Sequence, residues 1–148
     1  MSTSGERRYK QIACATRGGA ASRPTEDRAI MLARQHGATL IFLYIVDVSF
    51  AHGLTGKFDI EVVAQDLREI GKIVVEQAKE RARAQGVSAR GEIREGAVAE
   101  EIGNFVQKHK DLDLLVIGEM GESLREAMAP VLQDMAQRGI DVVTVPLH

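Results

Sequence analysis

The chain has 148 residues, the length of one domain, enough to bury about two thirds of the surface its unfolded form exposes. A composition of 45% apolar and 27% charged residues excludes a disordered chain. A net charge of −2 gives no pull towards nucleic acid or anionic membrane, no stretch has the apolar length of a membrane span, and four Phe, two Tyr and no Trp argue against stacking platforms for single-stranded nucleic acid.

Met1 to Arg8 reads as a flexible polar tail without an apolar signal core, followed by one domain over 9–148. Tyr9 to Ala15 has the apolar content of a first strand. Within it Cys14, the only cysteine, can form no internal disulfide and suits a reducing, cytoplasmic setting. Thr16 to Ser22 is a glycine-containing loop. A helix follows, with Ser22 as its expected cap, Pro24 in its first turn and Gly37 just past its end. Ala38 to Val46 carries an unbroken apolar run, as a central strand of a parallel sheet does. After a loop from Asp47 to Lys57, a long helix is expected from Phe58 to about Gln85. Ile60, Val63, Leu67, Ile70 and Val74 form its apolar stripe. Val87 to Arg94 alternates weakly, in the manner of an edge strand. A helix opened by Gly96 presents Val98, Ile102, Phe105 and Val106.

Leu114 to Ile117 is a second continuous apolar run, stopped by Gly118 with Gly121 three residues on. Closely spaced glycines can turn backbone N–H groups towards an anion at the entry to a helix; they can equally serve a plain strand-to-helix turn. Ser123 and Glu126 have capping-box spacing, and Pro130 falls inside the segment behind them. Either a helix is kinked at Pro130, or a short turn ends and the true helix starts there; the second is preferred. Ile140 to Leu147 forms a last strand after Gly139.

The alternation β-α-β-α-β-α-β-α-β predicts an α/β fold: a single open five-stranded parallel sheet, strand order 3-2-1-4-5, with helices on both faces. Right-handed crossovers then bring the loops after strands one and four together where the winding reverses, the usual ligand position of such sheets. The loop Thr16-Arg17-Gly18-Gly19 would face Gly118 to Gly121 there, with Ala15, Thr16, Arg17, Gly18, Ile45, Ile117, Gly118 and Gly121 as the expected nucleotide or anion pocket. Arg17 could hold an anion or pair with an acid such as Glu119. His36, His52, His109 and His148 lie far apart and lack metal-ligand spacing, so no metal site is expected. Arg81, Arg83, Arg90 and Arg94 read as a solvated helix end and edge strand rather than a nucleic-acid patch.

Four segments in order resemble the universal stress protein family, from Tyr9 to Val145. They are Leu32-Ala33-Arg34-Gln35-His36-Gly37-Ala38, Tyr44-Ile45-Val46-Asp47, Arg94-Glu95-Gly96-Ala97-Val98-Ala99-Glu100-Glu101-Ile102 and Asp113-Leu114-Leu115-Val116-Ile117-Gly118. The resemblance implies a stress-response protein that dimerises through its last strand, with Val143 and Val145 at the dimer edge. It also implies an ATP site, with a backbone contact to adenine at Ile45. This chain departs from that site. Arg17 stands where the family's nucleotide binders place an aspartate. The family's phosphate motif is Gly, two residues, Gly, nine residues, then Gly and Ser or Thr. Gly118 and Gly121 match its first half, while its third glycine would fall on Val131 by strict spacing or near Met128 in a shortened loop. Glu119 and Glu122 add negative charge.

The expected function is therefore regulatory and non-enzymatic, since no nucleophile–base pair is visible. It would act as a homodimer on an unknown protein partner, with a degenerate pocket and no cofactor. The alternative is a member that binds ATP or AMP through an atypical loop.

Overall fold

The computed structural model describes residues 8–49 and 60–146. Residues 1–7 of the expected tail over 1–8, most of the loop after the second strand with the expected helix start at Phe58, His52, Leu147 and His148 lie outside the described residues. The elements are β1 (Gln11–Ala15), α1 (Gly19–His36), β2 (Thr39–Val46), α2 (Ile60–Ala84), β3 (Ala89–Glu95), α3 (Val98–Lys108), β4 (Leu114–Gly118), α4 (Glu122–Gln137) and β5 (Asp141–Val145). All strand pairs are parallel, in the order β3-β2-β1-β4-β5, as the alternation predicts.

Side-chain alternation divides the core into two layers. Ile12, Cys14, Phe42, Leu114 and Val116 face α1 and α2, where Ala29, Ile30, Ala78 and Ala82 meet them. Ala13, Ile41, Leu43, Leu115 and Ile117 face α3 and α4, against Ile102, Phe105, Met128 and Met135. This two-sided burial is why β2 and β4 read as continuous apolar runs rather than alternating ones. Gly37 closes α1 in the left-handed region at φ 64°, a conformation that a Cβ would oppose.

Three local expectations are corrected. Helix α1 begins at Gly19, with Gly18 as its N-cap and no side-chain cap, so Pro24 lies inside the helix. Ser22 Oγ instead accepts the Arg17 N–H at 3.1 Å and braces the loop. Helix α4 runs unbroken from Glu122 through Pro130, and Gly121 replaces the Ser123–Glu126 capping box. An interior proline costs about 3 kcal/mol. The apolar face of α4 outweighs it: Met128 and Met135 are fully buried, Leu124, Val131 and Leu132 partly so, and each full burial contributes roughly 1.5–3 kcal/mol. On α2, Leu67 and Val74 of the expected stripe pack partly buried against the core, but Ile70 is 47% exposed, and the buried face is made of Ala64, Gly71, Val75, Ala78 and Ala82. Small residues let this helix lie close to the sheet; a Cβ on Gly71 would stand 2.6 Å from the Tyr44 ring.

The two sheet edges differ. On the α3 side of β3 stand Arg90, Glu92 and Arg94, in register with Ile41, Leu43 and Ile45. Arg94 pairs with Glu92 at 2.6 Å and with Glu101 at 3.0 Å. His109 is not isolated as expected: its Nε2 lies 3.0 Å from Glu92 Oε1. On β5 the one charged residue is Asp141, which accepts the Tyr9 hydroxyl at 2.7 Å. Val142 and Val143 are half-buried, and Val145 is 7% exposed, so its side chain belongs to the α1-side core rather than to the free edge.

Candidate functional site

A cleft of about 470 Å³ opens at the carboxyl ends of β1, β2 and β4. It lies where β1 feeds leftward to β2 and β4 lies on its other side, the reversal point of the sheet. Its volume falls within the usual range for small-molecule sites. Of the residues expected at a nucleotide or anion pocket, Ala15, Thr16, Arg17, Gly18, Ile45, Ile117 and Gly118 line it; Gly121 does not. Val98 and Ile102 from α3 and Met120 and Leu124 at the start of α4 extend the apolar wall beside Ile45 and Ile117. Thr25, Tyr44, Asp47 and Ser49 add polar groups that were not among the expected pocket residues. The signals for Asp47 are its place directly after the apolar run of β2 and at the end of the family-like segment Tyr44-Ile45-Val46-Asp47.

The loop after β1 is held from within. The Thr16 N–H donates to the Leu43 carbonyl at 2.9 Å. The Arg17 N–H donates to Ser22 Oγ, and the Gly18 N–H to Thr16 Oγ1 at 3.0 Å. Thr16 Oγ1 in turn donates to Glu26 Oε2 at 2.5 Å. Glu26 is only 4% exposed, and its other oxygen pairs with Arg81 of α2. Arg81 is therefore not simply a solvated helix end. Its Nε is buried without a hydrogen-bond partner among the described residues, 4.0 Å from Asp27 Oδ1. This carboxylate governs Cys14 as well. Burial pushes the Cys14 thiol well up, the Glu26 charge adds to the rise and Arg81 opposes it, so the thiol stays protonated and inert.

The glycines after β4 do not form an anion cradle of left-handed residues, since neither Gly118 nor Gly121 has a positive φ. Gly118 is needed for space: a Cβ there would sit 3.1 Å from Thr25 Oγ1 of α1. Gly121 faces open space, and α4 begins immediately after it. The Glu119 N–H is committed to the Val145 carbonyl at 2.9 Å. Glu119 lines the cleft, and Glu122 does not. Burial pushes the Tyr44 hydroxyl up, so it stays an O–H group.

A second cavity, of about 490 Å³, lies between the start of α1 and α2 and shares Gly18 with the cleft. Its charged walls, Arg23, Glu26, Asp27 and Arg81, are paired with one another. Among the described residues no group of three His, Cys, Asp or Glu side chains could hold a metal ion, and no helix is long and apolar enough to cross a membrane.

Residues 8–145 match the family model described as the universal stress protein family. Universal stress protein MJ0531 of Methanocaldococcus jannaschii is 33% identical over 143 residues, which cover 97% of this chain and 82% of the relative. A universal stress protein solved in complex with cAMP superposes with a TM-score of 0.67 at 22% identity, over 96% of this chain and 100% of the other. A universal stress protein family protein from Arabidopsis thaliana with AMP bound gives 0.61 at 15% identity, over 94% and 92%.

Proposed function

The chain belongs to the universal stress protein family, and from that premise we propose that it is a non-enzymatic regulator whose cleft admits a nucleotide with one phosphate but not Mg-ATP. In this reading it works in the cytoplasm as a homodimer on a protein partner. The observation that carries the proposal is the start of α4. The residues after Gly121, which in the family's nucleotide binders would form the long phosphate loop, are helical from Glu122 onward. Their backbone N–H groups beyond the first turn serve the helix and cannot reach a phosphate chain.

Three further features act in the same direction. The N–H groups of Thr16, Arg17 and Gly18 are already committed. Glu119 adds like charge to the cleft. Thr16, the hydroxyl nearest a carboxylate, is buried and engaged with Glu26, which leaves it no role as a nucleophile. Each missing hydrogen bond to a phosphate weakens binding by roughly 1.5–3 kcal/mol, so losing two costs about two to four decades of affinity. The exposed Arg17 at the rim supports the monophosphate, and the AMP and cAMP complexes of the structural relatives supply the ligand class.

Calorimetry with Mg-ATP, AMP and cAMP at physiological salt tests this. AMP is expected to bind at least tenfold more tightly than Mg-ATP. A micromolar dissociation constant for Mg-ATP, equal to or below that for AMP, overturns the proposal.

A further inference from the structure

The cleft separates two kinds of polar group. At the β1 side stands Arg17, which can only donate hydrogen bonds. At the β2 side stands Asp47, half-buried in the cleft wall, which at neutral pH can only accept them. Asp47 Oδ1 receives the Ser49 N–H at 2.8 Å. Its second oxygen has no partner among the described residues, and neither has the hydroxyl of Tyr44, which also lines the cleft. Between these corners the wall is apolar, formed by Ile45, Ile117 and Ile102. A ligand matching this layout carries an anion at one end, a flat apolar plate, and hydroxyl donors near Asp47.

Resting on the monophosphate reading above, we propose that Asp47 is the residue that selects the sugar. Its free oxygen, with two lone pairs, accepts from both the 2′ and the 3′ hydroxyl of a ribose, and the cleft therefore prefers a ribonucleoside monophosphate with both hydroxyls free. The acidic contact that Arg17 removes from the β1 loop is supplied from the end of β2. A phosphate cannot take this place, because it would meet a carboxylate with no donor to offer it. Replacing Asp47 by Asn keeps an Oδ1 acceptor for the Ser49 N–H, so the loop start is retained while the charge and the second carboxylate oxygen are lost.

The test is calorimetry on the full chain and on its Asp47→Asn variant, titrated with AMP, 2′-deoxy-AMP and cAMP, whose 3′ oxygen is tied into its ring. The native chain is expected to bind AMP about 10- to 100-fold more tightly than 2′-deoxy-AMP or cAMP, the range of one hydrogen bond to a charged group. In Asp47→Asn that preference falls to within about threefold, with an unchanged melting temperature. Glu119→Gln, the other acid in the cleft, keeps the native preference. If Asp47→Asn discriminates as the native chain does, or if Glu119→Gln abolishes the preference instead, Asp47 is not the selector, while AMP binding itself leaves the monophosphate reading standing. If the native chain binds AMP without preference over the other two, the sugar is not read and the inference fails. No binding of AMP at millimolar concentration overturns the monophosphate reading and the inference together.

Discussion

Glu26 is the residue on which most local structure depends. It is a nearly fully buried carboxylate that ties the β1 loop, through Thr16, to α2, through Arg81. Removing one partner of a buried pair is costlier than the pair is favourable, because the other charge is left uncompensated. Arg81 is about a quarter exposed and can recover some hydration, which moderates the loss. Glu26→Ala is therefore expected to destabilise the fold by about 2–4 kcal/mol, read as a lower urea midpoint with an unchanged slope. A second carboxylate, Glu92, sets an acid limit. Burial alone would raise its pKa, but the hydrogen bonds from Arg94 and His109 outweigh it and hold it below the ordinary glutamate value. A carboxylate depressed in the folded state contributes stability that is present above its unfolded pKa, near 4.3. That contribution is lost as the pH falls through the lower folded value. Urea midpoints between about pH 5 and pH 3 should thus fall more steeply for the native chain than for Glu92→Gln. Neither network was legible in the sequence. Arg81 lies 55 residues from Glu26 in the chain, and only the α1–α2 packing brings it to the Thr16–Glu26 pair.

At the level of elements, the period and length of apolar runs carried the fold. β2 and β4 are sandwiched between layers and show it as unbroken runs, and α3 shows a clean stripe because its buried side chains are large. Helix α2 was misread in part for the opposite reason. Its buried face is mostly Ala and Gly with Val75, which no hydrophobicity pattern marks strongly, while its large residues Ile70 and Ile73 are exposed. In α4 the local signal of Pro130 lost to tertiary burial. Seven of the eight expected cleft residues could be placed because strand ends and reversal points follow from topology. Tyr44 and Asp47 belong to a family-like segment, but nothing in that segment marks which of its side chains face the cleft, so neither was expected in the pocket. Because Pro130 sits in a helix that packing maintains at its expense, Pro130→Ala should stabilise the protein by about 1–3 kcal/mol, with a melting temperature several degrees higher.

For the whole molecule, the edges decide how copies can meet. An edge strand offers unpaired backbone groups, and charged side chains discourage their use. β3 bears Arg90, Glu92, Arg94 and Glu95; β5 bears Asp141 alone, already engaged by Tyr9. Association through β5 is expected to give a dimer by light scattering at micromolar concentration. Val143→Lys, which puts a cation on a half-buried position of that strand, should shift the protein to monomers; an unaffected dimer would place the contact elsewhere. The asymmetry of the sheet has one further consequence. Joining two β5 strands about a twofold axis would produce a ten-stranded sheet with a β3 strand at each end, twice the five strands of one copy. Both ends would then be capped by alternating charges, so a third copy finds nothing to add to. A sheet with one open margin and one guarded margin would set its own stopping point: β5 would allow the pairing, and the charges of β3 would exclude a filament.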